Sequence, residues 1–266
     1  MNYLNILFSI VALGSLGVAF GALLTIADKK FRVEVDERVS KIRECLPGAN
    51  CGACGYPGCD GYAIAVAEGK AAISACSPGG AAVVARIAEL MGMEATASAP
   101  MVARVRCQGG CGVALERYTY DGLSSCRLAA SMAGGPKVCQ HACLALGDCI
   151  KVCKFDALSI HNGLIVVDED KCTACGMCVS ECPRKVIAIV PKPSRVIVRC
   201  QNADNAKMAK EACATACIGC RRCVKACQFG AIKVEGGFAS IDAEKCTNCG
   251  ECVNVCPSHS IINLAA

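Results

Sequence analysis

The chain has 266 residues, a formal net charge of +5, 26 cysteines, no tryptophan and only 4% aromatic residues. The length leaves room for two or more small domains, and the cysteine spacing is that of metal ligands rather than of a disulfide framework. Because a cubane cluster held by four thiolates carries about −2 when oxidised, the surplus of lysine and arginine is no argument for nucleic-acid binding.

Residues 1 to 27 carry no charged side chain, and Leu4 to Ala27 is mostly Leu, Ile, Val, Ala, Gly and Phe. As a helix this stretch covers ~35 Å, enough for a hydrocarbon core of ~30 Å. A signal peptide fits poorly, because no basic residue precedes the apolar run and Asp28-Lys29-Lys30-Phe31-Arg32 follows it in place of a small-residue cleavage site. The expectation is a single-pass anchor over 1–28. The basic flank after it puts the N-terminus outside and the remainder in the cytoplasm, where a reducing medium keeps thiolates available. Gly14, Gly17 and Gly21 would allow a neighbouring helix to approach closely.

Residues 29–93 form the next expected unit, a small and mainly helical [4Fe-4S] domain. Val33 to Glu44 reads as a short amphipathic connector, with Val35, Val39 and Ile42 at helical spacing. Cys51, Cys54 and Cys59, followed beyond a helix from Tyr62 to Ala75 by Cys76, supply four thiolates for one cubane (site 1). The glycines between them permit tight turns and bring backbone N–H groups against the sulfurs. Cys45 falls outside the spacing and reads as a small buried hydrophobe. A helix from Ala81 to Met93 closes the domain, and 94–101 is a linker.

Beyond the linker the chain repeats itself. Cys172-Thr-Ala-Cys175-Gly-Met-Cys178-Val-Ser-Glu-Cys182-Pro183 returns as Cys246-Thr-Asn-Cys249-Gly-Glu-Cys252-Val-Asn-Val-Cys256-Pro257. An offset of 74 residues carries nine cysteines of the first block (126, 139, 143, 149, 153, 172, 175, 178, 182) onto nine of the second. Three cysteines spaced by two, then a fourth followed by proline, hold cubane clusters in two-cluster ferredoxins, the fourth cysteine serving the other cluster. Val102-Ala-Arg-Val-Arg-Cys107 alternates like a strand and is echoed by Arg195-Val-Ile-Val-Arg-Cys200. The expected fold class is therefore α+β: transmembrane helix, helical cluster domain, and two tandem ferredoxin-like modules at 102–193 and 194–266. The first module carries an insertion with Cys111 and Cys126.

Crossed pairing assigns Cys217, Cys220, Cys223 and Cys256 to one cluster (site 4) and Cys246, Cys249, Cys252 and Cys227 to another (site 5). In the first module Cys172, Cys175, Cys178 and Cys153 make site 3. Its companion is irregular, since Leu146 stands at the position equivalent to Cys220. Site 2 is expected from Cys143, Cys149 and Cys182 with Cys139 as fourth ligand; a three-iron cluster or an open iron is the alternative. Cys107, Cys111, Cys126, Cys200 and Cys213 remain. Four of them could hold a further cluster, and buried spare thiols are the competing reading, so five or six [4Fe-4S] clusters are expected.

No Gly-x-Gly-x-x-Gly lies between a strand and a helix and no Walker sequence occurs, so no direct nucleotide binding is expected. His141, His161 and His259 are scattered, and no catalytic base or nucleophile stands out. One-electron transfer by a line of clusters is what such a chain can do, with the protein supplying spacing, shielding and tuning.

The uncharged segment ending in Ala27-Asp-Lys-Lys-Phe31, then Leu46-Pro-Gly-Ala-Asn-Cys51-Gly-Ala-Cys54-Gly-Tyr-Pro-Gly-Cys59 and Cys76-Ser-Pro-Gly-Gly80, followed by ferredoxin modules, closely resembles the B subunits of Rnf complexes over essentially the whole chain. The resemblance implies an electron-transfer subunit of a membrane-bound, ion-translocating oxidoreductase linking reduced ferredoxin to NAD. It implies other Rnf-type membrane subunits and soluble ferredoxin as partners, and the bacterial cytoplasmic (inner) membrane as location. A membrane-tethered polyferredoxin serving another oxidoreductase, such as a hydrogenase, shares these site expectations. A zinc module and a secreted disulfide protein are the remote alternatives.

Overall fold

The computed structural model describes residues 3–31, 36–95 and 99–264. Val35 and the rest of the connector's start, and the middle of the linker at 96–98, lie outside the described residues. Helix α1 runs from Tyr3 to Phe31, and its large apolar side chains with a described placement, among them Phe8, Leu13, Val18 and Leu24, are exposed. Among the described residues it is the one helix long and apolar enough to cross a membrane, over Ile10–Lys30.

Asp36 caps α2 (Glu37–Cys45), its carboxylate accepting from the Arg38 amide. With α3 (Gly58–Ala67) and α4 (Gly80–Met91) this helix encloses a core of Ile42, Leu46, Tyr62, Val66 and Ile87. Helix α3 starts four residues before the expected Tyr62 and stops at Ala67, because Gly69 turns left-handed (φ 71°). The chain from there to Cys76 is held instead by the Tyr62 hydroxyl, which donates to Ala72 O at 2.8 Å. A left-handed Gly92 (φ 64°) ends α4. Cys45 is half-buried against this core, in keeping with an apolar packing role.

The remaining chain folds as two halves with one element order. The first has β1 (Met101–Val105), α5 (Cys126–Ser131), α6 (Asp148–Lys151), the hairpin β2 (Leu158–His161) and β3 (Leu164–Val167), α7 (Met177–Glu181) and β4 (Ile187–Pro191). The second has β5 (Val196–Val198), α8 (Ala206–Ala212), α9 (Arg222–Ala226), β6 (Ile232–Glu235), β7 (Phe238–Ile241), α10 (Glu251–Asn254) and β8 (Ile261–Asn263). In each half the outermost strands pair antiparallel, Val105 opposite Ile187 and Val198 opposite Ile261, so the ends of a half close on each other. Each hairpin turns on two left-handed residues, Asn162-Gly163 (φ 47° and 68°) and Gly236-Gly237 (φ 61° and 90°), the pairing that matches the right-handed twist of the strands. Apolar residues are too few to make these cores alone: cysteines make up much of both.

The insertion in the first half reaches into the second. Leu115 N donates to Ala212 O at 2.9 Å and Ala214 N to Val113 O at 3.1 Å, and Ala114 packs in the second core. Gln108 Nε2 donates to His259 O at 2.8 Å, Arg199 Nη2 to Cys107 O at 2.9 Å and Gln201 Nε2 to Arg184 O at 2.8 Å. The seam between the halves is thus tied from both sides.

Candidate iron–sulfur sites

Site 1 forms where α3 begins. Asn50, itself left-handed (φ 46°), accepts from the Cys59 amide at 2.8 Å and so folds the Cys51–Cys54 loop onto the start of α3. Burial, then the nearby Cys59, Cys51 and Cys54 thiols, push the Cys76 thiol up, which places all four cysteines in one neighbourhood.

Cys153, Cys172, Cys175 and Cys178 line a single cavity under the β2–β3 hairpin, where the Ala103 amide of β1 donates to Cys172 Sγ at 3.4 Å. Cys217, Cys220, Cys223 and Cys256 line a cavity in the second half, the counterpart in the repeat of site 2 rather than of site 3. The thiol of Cys252 is raised to about 11, by burial and then by Cys246 and Cys249 beside it. Burial works against Cys256 too, yet the Ser260 hydroxyl at 3.3 Å and the amides of Ile261, Ser258 and Ser260 hold its thiol below the ordinary value. For Cys76 and Cys252, whose thiols are raised, release of the proton is part of the cost of binding iron, so their loading is favoured as pH rises.

The structure arranges the irregular first-half cysteines differently from their spacing. Around Cys149, whose thiol burial pushes up to about 12, the neighbouring thiols are Cys143, Cys126, Cys182 and Cys178. Cys126 arrives there because Asp148, the residue before Cys149, accepts from Ser125 Oγ and from the Arg127 amide, both at 3.0 Å. The insertion therefore brings a thiol to the place that Leu146 leaves without one, and Ser124 Oγ donates to Leu146 O at 2.9 Å as it does so. Cys139, expected beside Cys143, faces the other way: after burial, the groups that raise it to about 11 include Cys107, Cys200 and Cys213. Cys111 is exposed beside the Asn162-Gly163 turn, its amide donating to Asn162 O at 3.0 Å.

Among the described residues no three His, Cys, Asp or Glu side chains converge as ligands of one metal ion. Four thiols spread round a cavity suit a cubane, in which each bonds its own iron; zinc wants all four at about 2.3 Å from one point.

The neighbourhoods also lie within electrostatic reach of one another in series. Cys175 is raised by burial and then by Cys51 as well as Cys153, and Lys154 Nζ donates to Ala49 O and Asn50 O at 3.1 and 3.2 Å, joining site 1 to site 3. Cys178 stands near Cys149, and Cys223 near Cys252. Thiols of this number and arrangement define an iron–sulfur protein that carries several [4Fe-4S] clusters.

Comparison with known proteins agrees. A family model described as a putative Fe-S cluster matches residues 46–78, a 4Fe-4S binding domain matches 165–188, and a 4Fe-4S dicluster domain matches 216–260. The B subunit of the Na(+)-translocating ferredoxin:NAD(+) oxidoreductase complex of Acetobacterium woodii is 49% identical over 257 residues, 96% of this chain and 77% of that protein. Its counterpart in the ion-translocating oxidoreductase complex of Methanosarcina acetivorans is 40% identical, over 95% of this chain and 96% of that protein. The one from the proton-translocating ferredoxin:NAD(+) oxidoreductase complex of Clostridium ljungdahlii is 38% identical, over 97% and 92%. The chain belongs to the family of B subunits of Rnf-type ion-translocating oxidoreductase complexes.

Proposed function

We infer that this chain is the electron-transfer subunit of a ferredoxin:NAD oxidoreductase complex that translocates ions, taking electrons from soluble ferredoxin and passing them to membrane partner subunits. The observation that carries the reading is the unbroken succession of thiol neighbourhoods from Cys51 through Cys175, Cys178 and Cys149 in the first half. [4Fe-4S] clusters, when bound, supply reversible one-electron chemistry and no more. The chain's own residues would ligate them, keep water away through buried Cys59, Cys149, Cys178, Cys223 and Cys252, and tune them through amide and hydroxyl donors to sulfur.

Five ligand sets follow: Cys51, Cys54, Cys59 and Cys76; Cys126, Cys143, Cys149 and Cys182; Cys153, Cys172, Cys175 and Cys178; Cys217, Cys220, Cys223 and Cys256; and Cys227, Cys246, Cys249 and Cys252. The first lies in a unit at 29–93, and the others form ferredoxin-like modules at 102–193 and 194–266. Electrons enter the second module, where Cys220 and Cys249 are exposed and Arg221, Arg222 and Lys225 form an exposed basic edge suited to an acidic carrier. They leave from site 1, next in sequence to the anchor. Helix α1 crosses the bilayer once, with Lys29 and Lys30 on the cytoplasmic side together with every cluster.

The test is Cys51→Ala in membranes. Ferredoxin docking is expected to survive while ferredoxin-driven NAD reduction stalls; undiminished activity would refute the route.

A further inference from the structure

Four cysteines are left over by the five sets on the seam itself. Cys107 follows β1, Cys200 follows β5, Cys213 caps α8, and Cys139 ends the insertion; all four are buried. They line one small cavity with Gly109, Ala142, Asn202 and Ala216. A Cβ placed on Gly109 would stand 3.6 Å from both Cys107 Sγ and Cys213 Sγ, so sulfurs from the two halves flank a single point.

Each sulfur has a polar neighbour of the kind that lines a cluster. Cys107 Sγ accepts from the amides of Gly109 at 3.3 Å and Cys143 at 3.4 Å. Cys200 Sγ accepts from the amides of Asn202 at 3.5 Å and Cys217 at 3.2 Å. Cys139 Sγ accepts from Asn202 Nδ2 at 3.5 Å, and Cys213 Sγ meets Thr215 Oγ1 at 3.5 Å. Spare cysteines packed as small hydrophobes have no use for this many donors, whereas thiolates in a dry site do.

The arrangement is also two-fold in character: Cys107 relates to Cys200, Cys139 to Cys213, and Cys143 to Cys217. Two of the donors are the amides of Cys143 and Cys217, each belonging to a ligand of a neighbouring set. The cavity therefore sits between site 2 and site 4, where the line of thiol neighbourhoods would otherwise be interrupted.

We propose that Cys107, Cys139, Cys200 and Cys213 hold a sixth [4Fe-4S] cluster, shared by the two halves, through which single electrons cross the seam. The inference rests on the electron-conduit reading above. Loading the site releases four thiol protons to solvent and forms four sulfur–iron bonds. Crossing makes and breaks no bond, the reductant being the reduced cluster on one side and the oxidant the oxidised cluster on the other.

Iron and acid-labile sulfide are to be measured on the full chain purified anaerobically in mild detergent. About 24 irons per chain are expected, at four per cubane. The pair Cys200→Ala/Cys213→Ala, the pair Cys107→Ala/Cys139→Ala, and all four together should each lose the same four or so irons and the same low-temperature EPR signal, while Cys111→Ala loses none. Full iron in the Cys200/Cys213 pair overturns the proposal. So does additive loss, which would mean that the two pairs serve different clusters. Should a pair fail to fold, Asn202→Ala is to be read in its place by potentiometric EPR, and no shifted signal in it counts against the site. A native content well under 16 irons defeats the five-set reading itself, a different result from 20 irons, which removes the seam cluster alone.

Discussion

The side-chain amide of Asn202, in the second half, donates at 3.5 Å to Cys139 Sγ, in the first. The donor is buried. A hydrogen bond to a ligand sulfur stabilises the more negative, reduced state, so Asn202→Ala should lower the midpoint potential of the seam cluster. The expected shift is about 40 mV, the one-electron equivalent of about 1 kcal/mol. Potentiometric titration followed by EPR reads it, and the other five signals should not move.

Lys154 joins site 1 to the first half through Ala49 O and Asn50 O, and neither its charge nor its stem is part of a ligand set. Lys154→Ala should therefore leave iron content and potentials unchanged while slowing delivery from site 3 to site 1. Stopped-flow oxidation of the reduced chain in membranes would register a rate fall of several-fold. If rate and potentials both stay put, the docking of site 1 does not depend on this lysine.

Arg221 and Arg222 flank exposed Cys220 at the proposed entry. Exchanging both for glutamate should raise KM for ferredoxin by about tenfold or more, flatten its dependence on ionic strength and leave kcat nearly intact, because long-range charge acts on encounter rather than on transfer. A fall in kcat at unchanged KM would place entry elsewhere.

Glu169 pairs with Arg104 at 2.6 Å, the arginine side chain being 7% and the glutamate side chain 25% exposed. Among the described residues Arg104 Nε and Nη2 have no partner, so Arg104 rests on this one bond, while Glu169 also faces Arg195 Nη1 at 3.6 Å. Glu169→Gln leaves a buried cation and should cost about 1–3 kcal/mol, measurable by denaturant unfolding under anaerobic conditions. The Arg104 hydrogen bond holds the Glu169 carboxyl below its ordinary value. Its contribution is therefore complete above the unfolded pKa and is lost only as pH falls through the lower folded one; between pH 6 and 8 wild type and variant should differ by a constant amount.

Much of this architecture is legible in the cysteine runs, because a CxxCxxC segment must coil tightly and a glycine after its second cysteine supplies the left-handed step, as at Gly176 (φ 78°) and Gly250 (φ 82°). Asn162-Gly163 and Gly236-Gly237 announce the hairpins in the same direct way. The seam is harder to read. The 74-residue offset carries Cys126 onto Cys200, yet in space the counterpart of Cys200 is Cys107, since both accept the amide of the next site's first cysteine. Cys126 reaches site 2 because its neighbours Ser125 and Arg127 bond Asp148, contacts 23 and 21 residues apart in the chain that spacing does not report. Cys139 lies four residues before Cys143, but the chain between them turns its sulfur toward the other half. The signal that was available is the echo of strand-end Cys107 in strand-end Cys200, which with Cys139 and Cys213 makes a symmetric foursome.

A cluster that draws two sulfurs from each half, as proposed for the seam, cannot be completed until residue 213 has left the ribosome and both halves have closed. A chain cut short before Cys200 would keep the ligands of sites 1, 2 and 3 but lack both the entry module and half of the seam site. Electrons from ferredoxin would then reach the anchor-proximal site only in a chain whose two halves are both folded.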